Sequence, residues 1–226
     1  AARLNMNEGV ANHFSACVPG SSGEFYVNKA GIHFSQIKAS DLILVTKDNI
    51  EDLKTKPDLV DATAISIHGT IHQKVPHAKC IFHLHSKYAT ALSTLKDPTL
   101  PPIDQNTMRF FNRVSIYNEF GGMGFEDEST KMANALGNKQ HMLLANHGVI
   151  TTGETVSEGF DALYYFEKSA ETYLTALSTN QKLNVVSDEI AEKTAQEWAN
   201  YPSDMARAHL DQIRLILDKE EPDYKN

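Results

Sequence analysis

Cysteine is scarce in this chain. Cys17 and Cys80 are the only two in 226 residues, too few and too unpatterned for a disulfide framework, so a reducing cytosol is the expected compartment. Basic residues are outnumbered, 21 Lys and Arg against 29 Asp and Glu, for a formal charge of −8. No Lys/Arg cluster offsets that balance, which argues against a nucleic-acid partner. No apolar run approaches membrane-spanning length, and no signal-peptide core is visible. Repeats, low-complexity tracts and linkers are missing too, and the length suits one large domain. Residues 1–226 therefore read as a single domain with a helical tail over 186–226. The sequence opens at Ala1 rather than Met, within a stretch (AARLNMNEGVANHF) that reads as a helix. That opening leaves room for a preceding natural segment, a cleaved signal included.

Histidine, by contrast, is plentiful: ten residues, more than a chain of this size needs. Short strands are expected at Phe25–Val27, within DLILVTKDN, at Cys80–His85 and in HMLLAN. Helices are expected over Asp61–Lys74, after Ser86 as N-cap, over Glu126–Leu136 up to Gly137, and from the capping box at Thr155–Glu158. Helices interleaved with strands of both kinds imply an α/β fold, a three-layer α/β/α sandwich around a central mixed sheet.

In a strand, residues i and i+2 project from one face, so His83 and His85 of CIFHLHS point the same way while Leu84 points the other. Two imidazoles on one face can hold one metal ion from one side. His147 in LLANHGV, placed at a strand end before a glycine that lets the backbone turn, fits as a third ligand. Three histidines with open positions have the form of a catalytic site. Spacing alone leaves two satisfied polar side chains as the alternative.

HLHS after a buried strand, NHG further on and VANHFSACVPG near the start resemble the class II aldolase/adducin superfamily. NKAGIHFSQIKASDLILV, IDQNTMRFFNRVSIYNEFGG and the tail LDKEEPDYKN are similar to its adducin-like bacterial branch. The resemblance runs over nearly the whole chain. It implies a metal at His83, His85 and His147, the same sandwich fold, and a homotetramer with active sites near subunit interfaces. It also exposes departures. The sugar-phosphate aldolases of the family carry Ser-Ser-Glu where this chain has Ala62, Thr63 and Ala64, four residues before His68. Their Gly-Asn becomes Asn12-His13, and their Ser-Gly turn becomes Ala30-Gly31. Phosphate cradles need hydroxyls or cations around exposed N–H groups, so a phosphorylated sugar is not the expected substrate.

These readings converge on a metal-dependent lyase, of aldolase or decarboxylase type. It would act through a metal-stabilised enolate on a small, non-phosphorylated oxo or hydroxy acid. One divalent ion is expected, zinc first, with manganese or iron as alternatives. His68 is the candidate base in place of the missing carboxylate; with His72, at i+4, it could instead hold a second metal. Tyr117 and Tyr224 are candidate proton donors by family analogy, against core packing and tail docking. Lys29 can meet an anionic group, and Gln105 and Arg109 can wall the pocket or serve structure alone. Glu126 and Glu128 read as compensation of a helix dipole. No membrane and no nucleic acid are expected as partners. Two competing readings are a non-catalytic adducin-like binding module, which three retained histidines argue against, and an Fe(II)-dependent oxygenase.

Overall fold

The computed structural model describes residues 1–226 except Ser22, Gly124, Glu126 and Ser203, and the side chain of Asp127. Seven strands form one sheet: β1 (His13–Cys17), β2 (Phe25–Asn28), β3 (Leu42–Val45), β4 (Cys80–Leu84), β5 (Val114–Tyr117), β6 (His141–Leu144) and β7 (Gly148–Gly153). Their order is β3-β2-β1-β4-β7-β6-β5. Every neighbouring pair is antiparallel except β5 with β6. The helices are α1 (Ile50–Lys54), α2 (Ala62–Lys74), α3 (Lys87–Ser93), α4 (Gln105–Arg109), α5 (Asp127–Leu136), α6 (Val156–Ser178), α7 (Asp188–Ala199) and α8 (Met205–Glu220). This is the α/β fold with a mixed sheet that the interleaved pattern implied. Among the described residues no helix is long and apolar enough to cross a membrane.

Strand β4 is buried along its whole length and shows how the layers form. Its even-numbered side chains Cys80, Phe82 and Leu84 enter a core with Leu92 of α3 and Phe160, Leu163 and Phe166 of α6. Ile81, on the opposite face, packs with Ile67 and Ile71 of α2 and Met132 of α5. Phe166 is fully buried, a burial that stabilises by about 1.5–3 kcal/mol. Helix α6 lies so close to β4 that a Cβ at Gly159 would sit inside the Phe82 ring. Leu210 and Ile213 of α8 pack against the same core, so this part of the tail is turned toward its own chain.

One local expectation needs correction, one strand had no signal, and one boundary lies outside the described residues. The opening segment is a short 3-10 turn at Ala2–Leu4 followed by β1, not a helix. The side chains of β1 that face α2 are His13, Ser15 and Cys17, while Phe14 and Ala16 pack on the other core, and a strand this short and polar carries a weak signal. Strand β7 went unread because all of Gly148–Gly153 is buried, so no alternation marks it. The Glu126 start proposed for α5 falls outside the described residues.

Ser86 does precede α3, but its hydroxyl makes no cap bond. It donates instead to the Glu167 carboxylate at 2.6 Å, which also accepts from the N–H groups of Tyr88 (2.8 Å) and Ala89 (2.9 Å). A buried carboxylate of α6 thus caps the helix that leaves the His83–His85 segment. Replacing it strands three donors, so Glu167→Ala should cost roughly 2–4 kcal/mol in urea denaturation. A loss under about 1 kcal/mol would show the cap to be dispensable.

Candidate metal centre

His83 is buried on β4 between His13 of β1 and Ile150 of β7, its register partners. His85 lies just beyond the end of β4, and His147 lies in the turn between β6 and β7. One nitrogen from each of the three lies within 4.8 Å of the others, the only such group of metal-ligating side chains among the described residues. The turn that delivers His147 is made by Asn146, at φ 57°, a left-handed conformation that asparagine tolerates. Gly148 has a different duty from the sharp turn assigned to it: its Cα faces the Leu84 carbonyl so closely that a Cβ has no room.

Hydrogen bonds settle the tautomers. His83 Nδ1 lies 3.1 Å from the Val149 carbonyl oxygen, and His85 Nδ1 lies 2.5 Å from Glu8 Oε2. A carbonyl and a carboxylate only accept, so both Nδ1 atoms carry a proton, and in the neutral rings that bind a cation both Nε2 atoms offer a lone pair. Those two lone pairs face each other at 3.2 Å. Bare, they repel. Two nitrogens each about 2.0–2.1 Å from one tetrahedral zinc ion lie about 3.3 Å apart, so the spacing fits a shared cation. Nδ1 of His147 is also buried without a protein partner. Burial holds His83 well below its ordinary value of 6.5, with further lowering by the neighbouring imidazoles. Burial, and then His85, lowers His147 to about 4. Both are neutral at neutral pH, the state that binds a cation.

A second cluster of histidines adjoins the first. The inward residues of β1 meet one face of α2 along a continuous hydrogen-bonded chain. His13 Nε2 lies 3.2 Å from Thr63 Oγ1, and His13 Nδ1 lies 2.7 Å from His68 Nε2. His68 Nδ1 is 2.5 Å from Ser15 Oγ, which is 2.8 Å from His72 Nε2. His72 Nδ1 ends the chain against the Ala78 carbonyl at 2.8 Å, with Cys17 Sγ at 3.2 Å. Burial is the main cause that lowers His13 to about 4, His72 to about 4 and His68 well below the ordinary range. His68, the candidate base, is set back from the metal candidates. It is fully buried, one ring behind His13, whose own ring centroid lies 4.9 Å from that of His83. Nor do His68 and His72 form a second metal pair, because Ser15 Oγ stands between them. His72 is half-buried and bonded both to Ser15 and to the Ala78 carbonyl.

The other candidates divide. Tyr117 ends β5 beside Leu144 of β6, at the end of the sheet from which His147 emerges, and is 6% exposed. Burial, then Glu128 and Glu119, raise its hydroxyl. Lys29 follows β2, whose last residue, Asn28, accepts from Phe14 N and so sits at the His13 end of β1. Arg109 and Gln105 do not join the histidines. The Arg109 guanidinium pairs with Asp161 at 2.6 Å and stacks between the rings of Tyr165 and Trp198. Asp161 also takes His209, so Arg109 ties α4 to α6, α7 and α8. Gln105 is exposed, and its carbonyl accepts from Trp198 Nε1. Tyr224 donates to Asp218 at 2.6 Å, a contact within the tail.

Several residues of consequence had no clear signal in the sequence. Glu8 orients His85. Asn12 adopts φ 92° and accepts from Glu8 N at 2.8 Å, while its Nδ2 is buried without a partner. Glu128, read as dipole compensation, is a buried carboxylate that accepts from Gly121 N and raises both His147 and Tyr117 electrostatically. Only the positive-φ asparagine had a possible cue, in Asn12 standing where a glycine would be easiest.

The model of the class II aldolase and adducin N-terminal domain matches residues 1–174. A putative aldolase class 2 protein of Caulobacter vibrioides is 28% identical over 222 residues, 95% of this chain and 83% of its own length. Decarboxylase NovR of Streptomyces niveus is 31% identical over 157 residues, 69% of this chain and 57% of its own. The crystal structure of an aldolase II superfamily protein from Pseudomonas syringae superimposes with TM-score 0.88 at 26% identity, over all of this chain and 90% of that one. The fold, the histidine arrangement and these likenesses agree: the chain belongs to the class II aldolase and adducin N-terminal domain family.

Proposed function

We propose that this protein is a metal-dependent carbon–carbon lyase for a small, non-phosphorylated oxo or hydroxy acid, with one divalent ion, zinc, held by His83, His85 and His147. The observation that carries the reading is the pair of opposed Nε2 lone pairs at 3.2 Å, an arrangement that calls for a cation. An ion there supplies Lewis-acid stabilisation of the negative charge that develops as a bond to carbon breaks. The protein's own part is to hold the ligands. Val149 and Glu8 fix the rings of His83 and His85, and the turn at Asn146 brings in His147. Tyr117, kept protonated by burial and the nearby carboxylates, is the proton donor at the same sheet end. Ala64 offers no carboxylate to move a proton, and loss of CO₂ depends more on an electron sink than on a base. The decarboxylase name of one relative supports that form of the reaction. The family's fold favours a homo-oligomer, for which we propose a tetramer, in the cytoplasm.

The test has two parts. Zinc titration should give one ion per chain, and Glu8→Gln should weaken it about 10–100-fold by freeing the His85 ring. Zinc-loaded protein should then release CO₂ or an aldehyde from members of a panel of small oxo and hydroxy acids, and should leave fuculose, rhamnulose and ribulose phosphates intact. Stoichiometry of zero, or brisk cleavage of a sugar phosphate, would refute it.

A further inference from the structure

A groove of about 870 Å³ lies along α2, between α1, α5 and the β2–β3 end of the sheet. That volume falls within the roughly 300–1,000 Å³ usual for small-molecule sites. None of His83, His85 and His147 lines it. Its base is the apolar cluster of Phe25 from β2, Val45 from β3 and Ile65 from α2, with Ile50 of α1 packed beside them. Phe125, half exposed, adds an aromatic ring to the lining.

Gly69 stands in the middle of α2 and lines this groove. A glycine inside a helix is destabilising relative to alanine, and nothing in the fold asks for one here. A Cβ would meet only Ile50 Cδ1 at 3.8 Å and Phe25 Cζ at 4.0 Å, ordinary contact distances. What the missing side chain leaves is room. The polar lining is unspent as well. Among the described residues, the side chains of Thr46, Lys47, Ser66, Gln73 and Thr130 have no hydrogen-bond or ion-pair partner. Lys54, the other lysine of the lining, is paired with Glu51 at 2.6 Å. One free positive charge amid hydroxyls and an amide suits a single negative charge. A polyanion would meet a chain whose net charge is −8.

We infer that this groove is a second binding site, for an aromatic carboxylate whose ring lies on the α2 backbone at Gly69 against Ile50 and whose charge meets Lys47. Bare backbone at a glycine lets a flat ring come closer than any side chain would allow. The apolar base supplies burial for the ring, and the hydroxyls of Thr46 and Ser66 can donate to the carboxylate beside the lysine. The site is separate from the proposed lyase centre and stands whether or not that centre holds a metal. One lining residue, His72, is held by Ser15 and the Ala78 carbonyl, so its ring signals report what enters the groove.

The probe is 2-naphthoate, titrated into the protein with zinc present and again after chelation. One molecule should bind per chain in both cases, with Kd below about 1 mM, and should shift the His72 ring signals in ¹⁵N-histidine-labelled protein. Gly69→Leu, which places a better helix former in α2, should fold at least as stably and weaken binding at least about 10-fold by filling the groove. Lys47→Gln, a change at an exposed position, should weaken it about 3-fold. Neutral 2-naphthylmethanol should bind about 3-fold less tightly than the acid to the wild type, and equally to Lys47→Gln. Absence of saturable binding, binding lost on chelation, affinity untouched by Gly69→Leu, or an alcohol as tight as the acid would overturn the inference. So would sedimentation showing that Gly69→Leu or Lys47→Gln changes the oligomer, since the groove would then be a contact between copies of the chain.

Discussion

Acid should unfold this protein between about pH 5.5 and 4, starting before most of its carboxylates are protonated. Four histidines outside the metal set are neutral, three of them buried and His72 half-buried. His13 and His72 are lowered to about 4, His141 to about 3, and His68 well below 6.5, with burial the first cause in each. The unfolded chain returns all four to about 6.5. Their folded values lie below the unfolded ones, so under pH 6.5 the unfolded state binds more protons. The stability they allow is complete above that pH and is lost as pH falls toward 4. Each removes about 1.4 kcal/mol for every pH unit below 6.5, so that one unit costs roughly 5–6 kcal/mol for the four together, against a usual total stability of about 5–15 kcal/mol. Circular dichroism and Trp198 fluorescence followed from neutral pH downward would show the transition, and urea midpoints at several pH values would give the slope. A stability that stays level from pH 7 to 4 would refute the account. His141→Leu should reduce the slope by about one histidine's share, since His141 Nδ1 has no partner to lose.

Gly148→Ala is expected to damage fold and metal site together. The new Cβ would press on the carbonyl oxygen and carbon of Leu84 and would stand 3.0 Å from His85 Cδ2. Leu84 pairs with Val149 in the β4–β7 ladder, so the obstacle is backbone within a sheet and has no rotamer to change. Either the strands part or the turn carrying His147 shifts. We expect a loss of roughly 3 kcal/mol or more in denaturation, and zinc binding weakened at least about 10-fold because His85 and His147 are displaced together. Wild-type affinity and stability in this variant would show that the close approach is not needed.

How much of this was legible beforehand depended on whether the information was local. His83 and His85 share one strand, so their spacing was enough to pair them, and Asp61 and Thr155 announced their helices through cap chemistry. The β1–α2 chain was not legible, because it joins residues some fifty positions apart and because a polar inner face disguised β1. The choice between pocket wall and structural role for Arg109 was open for a related reason. A cation near a site can be claimed by aromatic rings and an acid from elsewhere in the chain, and Tyr165, Trp198 and Asp161 claim it here. Gly148 was rightly singled out for the wrong physical reason, since the sequence cannot show which carbonyl a glycine faces.

The β1–α2 contact is also commensurate, and that limits what insertions the gene could tolerate. From His13 to Cys17 the strand advances four residues, about 13 Å at roughly 3.3 Å each. From Thr63 to His72 the helix advances nine residues, about 13.5 Å at 1.5 Å each. Strand and helix thus come into step at both ends, Thr63 against His13 and His72 against Cys17. One residue added to the helix between them would rotate every later side chain by about 100° and break the sequence of bonds. Four added residues would nearly restore the face but slide His72 by about 6 Å, two strand positions. Length changes in this family should therefore collect in the loops around α2, while the spacing within Thr63–His72 and within His13–Cys17 stays fixed wherever the hydrogen-bonded chain is kept.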